Sequence, residues 1–250
     1  MPQVVIPAAG LGTRFAPYTS LIPKELLAVG NKPAFSYILD ECKRGSLDEF
    51  VIITSNRKQL IREYISQQTA GSYIVQEQQE PRGLGHAVLC AQTHITGNSF
   101  GICLPDDLIF TGSVIAQLQQ LSLTYNASVI AVEPVAPEEV SSYGIVSIKD
   151  TLTPTLFELA DVVEKPAREE APSNYAIIGR YWLTTHIFSL LEHTRPDHKN
   201  EIQLTSALAQ LIQQKQRVLA YVLEKDKRYD IGTPSGWLTT NIEYARTYYL

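Results

Sequence analysis

Residues 7–25 read Pro-Ala-Ala-Gly-Leu-Gly-Thr-Arg-Phe-Ala-Pro-Tyr-Thr-Ser-Leu-Ile-Pro-Lys-Glu, and few folds accommodate such a stretch. The apolar run Val4, Val5, Ile6 reads as a buried strand that opens into a loop carrying Gly10 and Gly12. Glycine permits positive φ and lets a ligand approach the main chain. Successive N–H groups of such a loop make a concave anion site suited to a polyphosphate. Arg14 adds a planar, permanently charged fork, and Lys24, held by Pro23, adds a second cation. Amides, a guanidinium and an ammonium together suit a nucleoside triphosphate.

Two other phosphate loops do not fit. A dinucleotide fingerprint needs a third glycine opening a helix at once. Phe15 stands there instead, and Pro17 and Pro23 interrupt any helix. Where an acidic ribose ligand is expected, the chain has Gly30-Asn31-Lys32-Pro33. No Gly-Lys-Ser/Thr follows the glycines, so the Walker A pattern also fails.

With 250 residues the chain can form one large α/β unit or two small ones. We expect a single unit over residues 1–250, with a nucleotide-binding half over about 1–133 and a second half over about 134–250. Net charge is −5 with no basic run, which excludes a nucleic-acid footprint. An acidic protein that binds phosphates must concentrate its cations, which draws attention to Arg14, Lys24 and Lys165. Cys42, Cys90 and Cys103 form no Cys-x-x-Cys pair and read as reduced thiols. The five histidines show no metal-ligand spacing. Neither a signal core nor an apolar run of ~18 residues is present, so no membrane partner and a cytoplasmic location are expected.

Apolar segments at 4–7, 50–54, 73–76, 99–104 and 127–132 read as strands. They alternate with helical periodicity at 34–44, 58–67, 85–93 and 114–123. This alternation predicts an α/β fold, Rossmann-like, with a mostly parallel sheet and helices on both faces. Beyond Pro134, hairpin-like pieces at 144–148 and 156–163, a strand at 175–183 and a helix at 203–213 predict a β/α elaboration of that sheet. A helix from Pro234 closes the chain.

Gly-Leu-Gly-Thr-Arg at 10–14 followed by Pro-Lys-Glu at 23–25 resembles the signature of the sugar-phosphate nucleotidyltransferases, in particular the bacterial branch that uses UTP. Gly83-Leu84-Gly85-His86-Ala87-Val88, Leu104-Pro105-Asp106, Ser142-Tyr143-Gly144, Val163-Glu164-Lys165-Pro166, Gly179-Arg180-Tyr181 and Glu201-Ile202-Gln203-Leu204-Thr205 follow in that family's order. The resemblance implies Mg²⁺-dependent transfer of a uridylyl group from UTP to a hexose-1-phosphate, glucose-1-phosphate, releasing pyrophosphate. It also implies that residues of about 134–250 form a sugar-binding β/α elaboration, and that the protein is a homo-oligomer, dimer or tetramer. The nucleophile is an ionised phosphate oxygen, so the reaction needs charge neutralisation and in-line placement rather than a base.

Carried over residue by residue, the resemblance assigns Arg14, Lys24, Asp106 and Lys165 to catalysis. Ala8, Ala9, Gly10, Gly12, Thr13, Arg14, Lys24, Glu25, Gln78 and Gly83 fall to the nucleotide. Gly144, Glu164, Lys165, Ile177 and Tyr181 fall to the sugar phosphate, and Asp106 and Asp230 to the metal. Asp106 alone would read as a cap for the helix beginning near Ser113, and Asp107 either caps or touches sugar. Pro166 biases Lys165 to extended backbone, which would send Glu164 and Lys165 to opposite sides of a strand end. Gln78 alone would read as part of the polar strip 77–80; its spacing to Gly83 favours base recognition, since an amide both donates and accepts. Departures from the family are Ser20 for a lysine, Ala28 for a proline, and a missing helical insertion between Ile65 and Gln78.

Two other readings stand beside the uridylyl one. A thymidylyl enzyme using dTTP differs by one methyl on the base, worth ~1–3 kcal/mol in a pocket. A non-catalytic nucleotide-sugar sensor would keep the pocket without needing both metal aspartates.

Overall fold

The computed structural model describes residues 1–223 and 228–250. In chain order its elements begin with β1 (Gln3–Pro7), β2 (Ala28–Val29), β3 (Lys32–Pro33), α1 (Ala34–Arg44), β4 (Glu49–Thr54), α2 (Gln59–Ser66), β5 (Ser72–Glu77) and α3 (Gly83–Leu89). There follow β6 (Ser99–Cys103), β7 (Asp107–Ile109), α4 (Val114–Tyr125), β8 (Ser128–Pro134), β9 (Gly144–Thr153), β10 (Leu156–Glu164) and β11 (Tyr175–Thr184). The last are α5 (His186–His193), α6 (Leu204–Gln213), β12 (Val218–Val222), β13 (Arg228–Asp230) and α7 (Pro234–Tyr248).

Nine strands form one sheet in the order β5-β4-β1-β6-β11-β8-β12-β10-β9. The β5-β4-β1-β6 part is parallel throughout. β11 then runs antiparallel between β6 and β8, and the β9–β10 hairpin closes the far edge. The parallel sheet expected from the first half is therefore extended by a mixed second half, and the same sheet runs through both.

Side-chain alternation explains why both faces are covered. Val4, Ile6, Phe50 and Ile52 point into a core shared with α1, α2, α4 and α7. Val5, Val51 and Ile53 point into the opposite core, with α3, α5 and α6. Continuous apolar strands whose neighbours face opposite ways need helices on both sides.

Helix α5 and strand β12 lay outside the sequence expectations. β12 pairs in parallel with β8 near the sheet centre. The three-residue ribbon β7–β13 was equally illegible, because a short pairing carries no periodicity. It aligns Asp107 with Asp230. Helix α7 starts on a capped turn, where Thr233 Oγ1 accepts from Gly236 N at 3.1 Å and Pro234 takes the first position. Among the described residues no helix is long and apolar enough to cross a membrane.

Candidate active site

At the carboxyl ends of β1 and β6 lies a cleft of about 620 Å³, where open α/β sheets bind ligands. The glycine loop forms one wall. Gly12 has φ 65°, and a Cβ there would lie 2.9 Å from Thr19 Cγ2, so both conformation and space demand glycine. Thr19 Oγ1 donates to the Gly12 carbonyl at 2.9 Å, which pins the loop's far end. Ala9, Gly10, Thr13, Arg14, Lys24, Glu25, Gln78, Gly83 and Asp106 also line the cleft, as the sequence led us to expect.

Two nucleotide assignments need correction. Ala8 is fully buried in the core, and its N–H donates to Ile53 O at 2.6 Å, so it adds nothing to the cleft wall. Glu25 is 1% exposed and spends both carboxylate oxygens on Lys58 Nζ, at 2.9 and 2.8 Å. Burial pushes the Lys58 ammonium below its ordinary pKa despite Glu25. Glu25 therefore anchors α2 to the loop rather than presenting charge to a ligand.

The acidic centre is built across the ribbon. Asp106 Oδ2 accepts from Lys24 Nζ at 2.5 Å, and the Asp106 carbonyl accepts from Ile231 N at 2.8 Å. Burial alone would raise the Asp106 pKa, but the Lys24 charge outweighs it and holds the carboxyl below its ordinary range. Burial likewise opposes the Lys24 charge, and Asp106 with Glu25 overcomes it to raise that pKa. Asp230 Oδ1 accepts from Gly232 N at 2.7 Å. A Cβ on Gly232 would lie 2.9 Å from Asp230 Oδ1, 3.4 Å from Asp106 Oδ2 and 3.8 Å from Arg14 Nη1. Two carboxylates and a guanidinium thus converge on one bare backbone position. Among the described residues no group of three or more potential metal ligands occurs. Two carboxylates are nonetheless what Mg²⁺ takes when phosphates and water complete its octahedron.

Asp107 neither caps a helix nor faces sugar. It is buried, accepts from Gly179 N at 2.7 Å and pairs with Arg228 Nε at 2.5 Å. Arg228 also pairs with Asp230, at 3.2 Å, and with Glu133, so one guanidinium ties both sides of the acidic centre together. Helix α4 is capped instead by Ser113 and by Glu41, whose Oε1 accepts from Val114 N and Ile115 N at 3.1 and 3.2 Å.

Gln78 is 5% exposed, which overturns its reading as surface. Its amide NH₂ donates to the Gly83 carbonyl at 3.3 Å and to His86 Nδ1 at 2.9 Å. Burial, with Arg82 nearby, lowers the His86 pKa, and Nδ1 is the acceptor because the amide nitrogen can only donate. Only the Gln78 carbonyl oxygen is left for a ligand, so the side chain accepts and does not also donate. Gly83, at φ 88°, packs against Glu201 and Ile202, where a Cβ would meet backbone at 2.9 Å.

Of the residues assigned to the sugar phosphate, Gly144 and Glu164 sit on the β9–β10 hairpin with Lys165 just after it, Ile177 and Tyr181 lie on β11, and none lines the 620 Å³ cleft. Gly144 lies directly opposite Glu164 in register, and a Cβ on Gly144 would meet Thr205 at 2.7 Å, Ile177 at 3.3 Å and Glu164 at 3.4 Å. Ile177 and Tyr181 are 6% and 5% exposed and belong mainly to the core. Lys165 is not extended. Its φ is 44°, in the left-handed region, and its N–H donates to Tyr143 O at 3.0 Å. Its Nζ lies 3.2 Å from Glu164 Oε1, so the two side chains converge instead of diverging. A non-glycine residue at positive φ is a strained, over-determined conformation of the kind found at functional sites.

Thr205 was missed as a site residue. Its Oγ1 donates to Glu164 Oε2 at 2.8 Å, while Glu201 of the same segment lines the cleft and Ile202 exchanges backbone hydrogen bonds with Arg82 and Gly85. Segment 201–205 therefore joins the Gly83 side to the Glu164 side. The signal was present in the Glu201–Thr205 motif, whose contacts span no local period.

A glycine loop with cations at a strand end, facing paired carboxylates, defines an α/β nucleotide-binding protein built to handle phosphoryl groups. The sequence matches the Nucleotidyl transferase family over residues 3–247, and the chain belongs to that family, which generally uses a divalent metal. It is 37% identical to UTP–glucose-1-phosphate uridylyltransferase YngB of Bacillus subtilis (strain 168), covering 96% of this chain and 88% of that protein. Against the UTP–glucose-1-phosphate uridylyltransferase of Streptococcus pneumoniae serotype 4 the identity is also 37%, over 97% and 90%. The solved structure of UDP-glucose pyrophosphorylase complexed with UDP-glucose superposes with a TM-score of 0.92 at 35% identity, covering 99% of both chains.

Proposed function

We propose that the protein transfers a uridylyl group from UTP to glucose-1-phosphate, giving UDP-glucose and pyrophosphate. The observation that carries this reading is the convergence of Asp106, Asp230 and Arg14 on Gly232, beside a glycine loop, in a chain so similar to proteins of that name. A phosphate oxygen of the sugar phosphate attacks the α-phosphorus, the bond to the bridging oxygen of the β-phosphate breaks, and pyrophosphate leaves with that electron pair.

In this reading the loop amides from Gly10 to Thr13 and the Arg14 guanidinium hold the triphosphate. Lys24 sits between the loop and Asp106 and transfers its charge to phosphate oxygens when they arrive. Gln78 Oε1 accepts from N3–H of uracil, an edge that thymine shares. Glu164, oriented by Thr205, accepts from sugar hydroxyls. Lys165 pairs with the sugar phosphate. Asp106 and Asp230 would hold Mg²⁺, which when bound neutralises the charge building on the phosphates. No general base is required.

A pyrophosphate-release assay across UTP, dTTP, CTP, ATP and GTP, with glucose- and galactose-1-phosphate, tests the proposal. UTP with glucose-1-phosphate should be the best pair and should need a divalent ion. A dTTP preference would select the thymidylyl reaction, and no turnover with any pair would select the sensor.

A further inference from the structure

A second cavity, of about 440 Å³, backs onto the glycine loop and shares Leu11, Thr13 and Lys24 with the nucleotide cleft. Its wall carries three cations, Lys24, Arg57 and Lys58, and no carboxylate. In a chain of net charge −5 that is a pronounced local excess. The nucleotide cleft, by contrast, sets Arg14 and Lys24 beside Glu25, Asp106 and Glu201.

These cations are unequally satisfied. Lys24 is paired with Asp106 and Lys58 with Glu25, but the exposed Arg57 makes no ion pair among the described residues. Lys58 is 7% exposed with its ammonium on both Glu25 oxygens, and burial pushes its pKa below the ordinary value. Helix α2 opens on the same wall with no side-chain acceptor at its N-cap, leaving its positive end towards Gln59 and Leu60. Ser55, also in the wall, has a buried Oγ without a hydrogen-bond partner.

We propose that this cavity is a second anion site that takes inorganic pyrophosphate, separate from the nucleotide. The volume falls within the ~300–1,000 Å³ of small-molecule sites. Three cations and a helix N-terminus match a compact polyanion better than a neutral metabolite. Its place behind the triphosphate loop matches an anion released there; that identity rests on the nucleotidyl-transfer reading. Lys24 is common to both spaces and goes to the triphosphate when UTP is bound, which leaves Arg57, Lys58 and the α2 N-terminus to hold pyrophosphate.

Calorimetric titration of pyrophosphate into metal-free protein saturated with UTP tests the site, since without metal and sugar phosphate nothing turns over. The wild type should bind pyrophosphate while UTP is bound. Arg57→Ala should weaken that binding by ~10-fold or more, the worth of a charge-assisted hydrogen bond, and Arg57→Glu should abolish it, both with unchanged UTP affinity. Exclusion of pyrophosphate by UTP in the wild type would overturn the proposal. So would wild-type affinity in Arg57→Glu, or orthophosphate binding as tightly as pyrophosphate. Failure of UTP to bind even when Mg²⁺ is supplied would instead count against the proposed function.

Discussion

Glu41→Gln tests how the acidic loop is held in place. Glu41 and Arg180 are both 0% exposed. Arg180 Nη2 reaches Glu41 Oε2 at 2.7 Å and Nε reaches the two oxygens at 3.0 and 3.2 Å. The guanidinium also donates to the carbonyls of Gly179, Asp107 and Leu104 at 2.8, 2.6 and 3.3 Å, so it grips the loop on both sides of Asp106. Glutamine keeps the volume and an acceptor for the α4 amides, and it removes only the charge. A guanidinium left uncompensated in the core costs about 3–5 kcal/mol, a large share of the ~5–15 kcal/mol stability of a domain. Arg180→Met should cost a similar amount by stranding the carboxylate. In the double variant neither charge is stranded. Its loss should therefore fall well short of the ~6–10 kcal/mol sum of the singles. Urea unfolding followed by the fluorescence of Trp182 and Trp237 measures all four corners of the cycle. Additive losses would refute the view that charge pairing dominates at this site.

Asp106→Asn and Asp230→Asn should each reduce turnover by ~10²–10³ in folded protein, comparable to losing a main electrostatic group, and weaken divalent-ion binding measured with UTP present; a folded Asp230→Asn with normal turnover would remove that residue from the centre. Gln78→Ala should weaken UTP by roughly 1–3 kcal/mol through the unpaired N3–H, and more than CTP in parallel titrations, since N3 of cytosine carries no proton to donate. The Asp106 carboxyl, held below 3.8 by Lys24, contributes stability that is present above its unfolded value and lost as pH falls through the lowered one. Lys24, held above 10.5, contributes stability present below that value and lost as pH rises past the raised one. The stability gap between wild type and Lys24→Met should thus shrink in unfolding experiments as pH falls towards the acidic limit and as it rises past the basic one.

Local order was legible from the chain itself. Helix α1 falls on the residues its periodicity indicates, and β1, β4 and β5 fall within a residue of expectation, because burial on both faces writes an apolar run and helices write a 3.6-residue period. The cleft positions of Gly12, Arg14 and Lys24 were readable because glycine and proline constrain the backbone locally, whereas Asp106 alone read as a helix cap and only the family resemblance set it at the site. What residues distant in sequence do to one another was not. Gln78 could be surface or site until its burial against Gly83 and His86 was seen. Glu25 and Asp107 carry the charge expected of ligands, but tertiary partners, Lys58 and Arg228, consume it. Lys165 adopts a left-handed backbone against the bias of Pro166, because Tyr143, just before β9, and its own neighbour Glu164 hold it. Sequence determines which groups are available and the local geometry they prefer. Only folding decides which charges are neutralised internally and which remain for a ligand, since that depends on contacts across the sheet that no local pattern encodes.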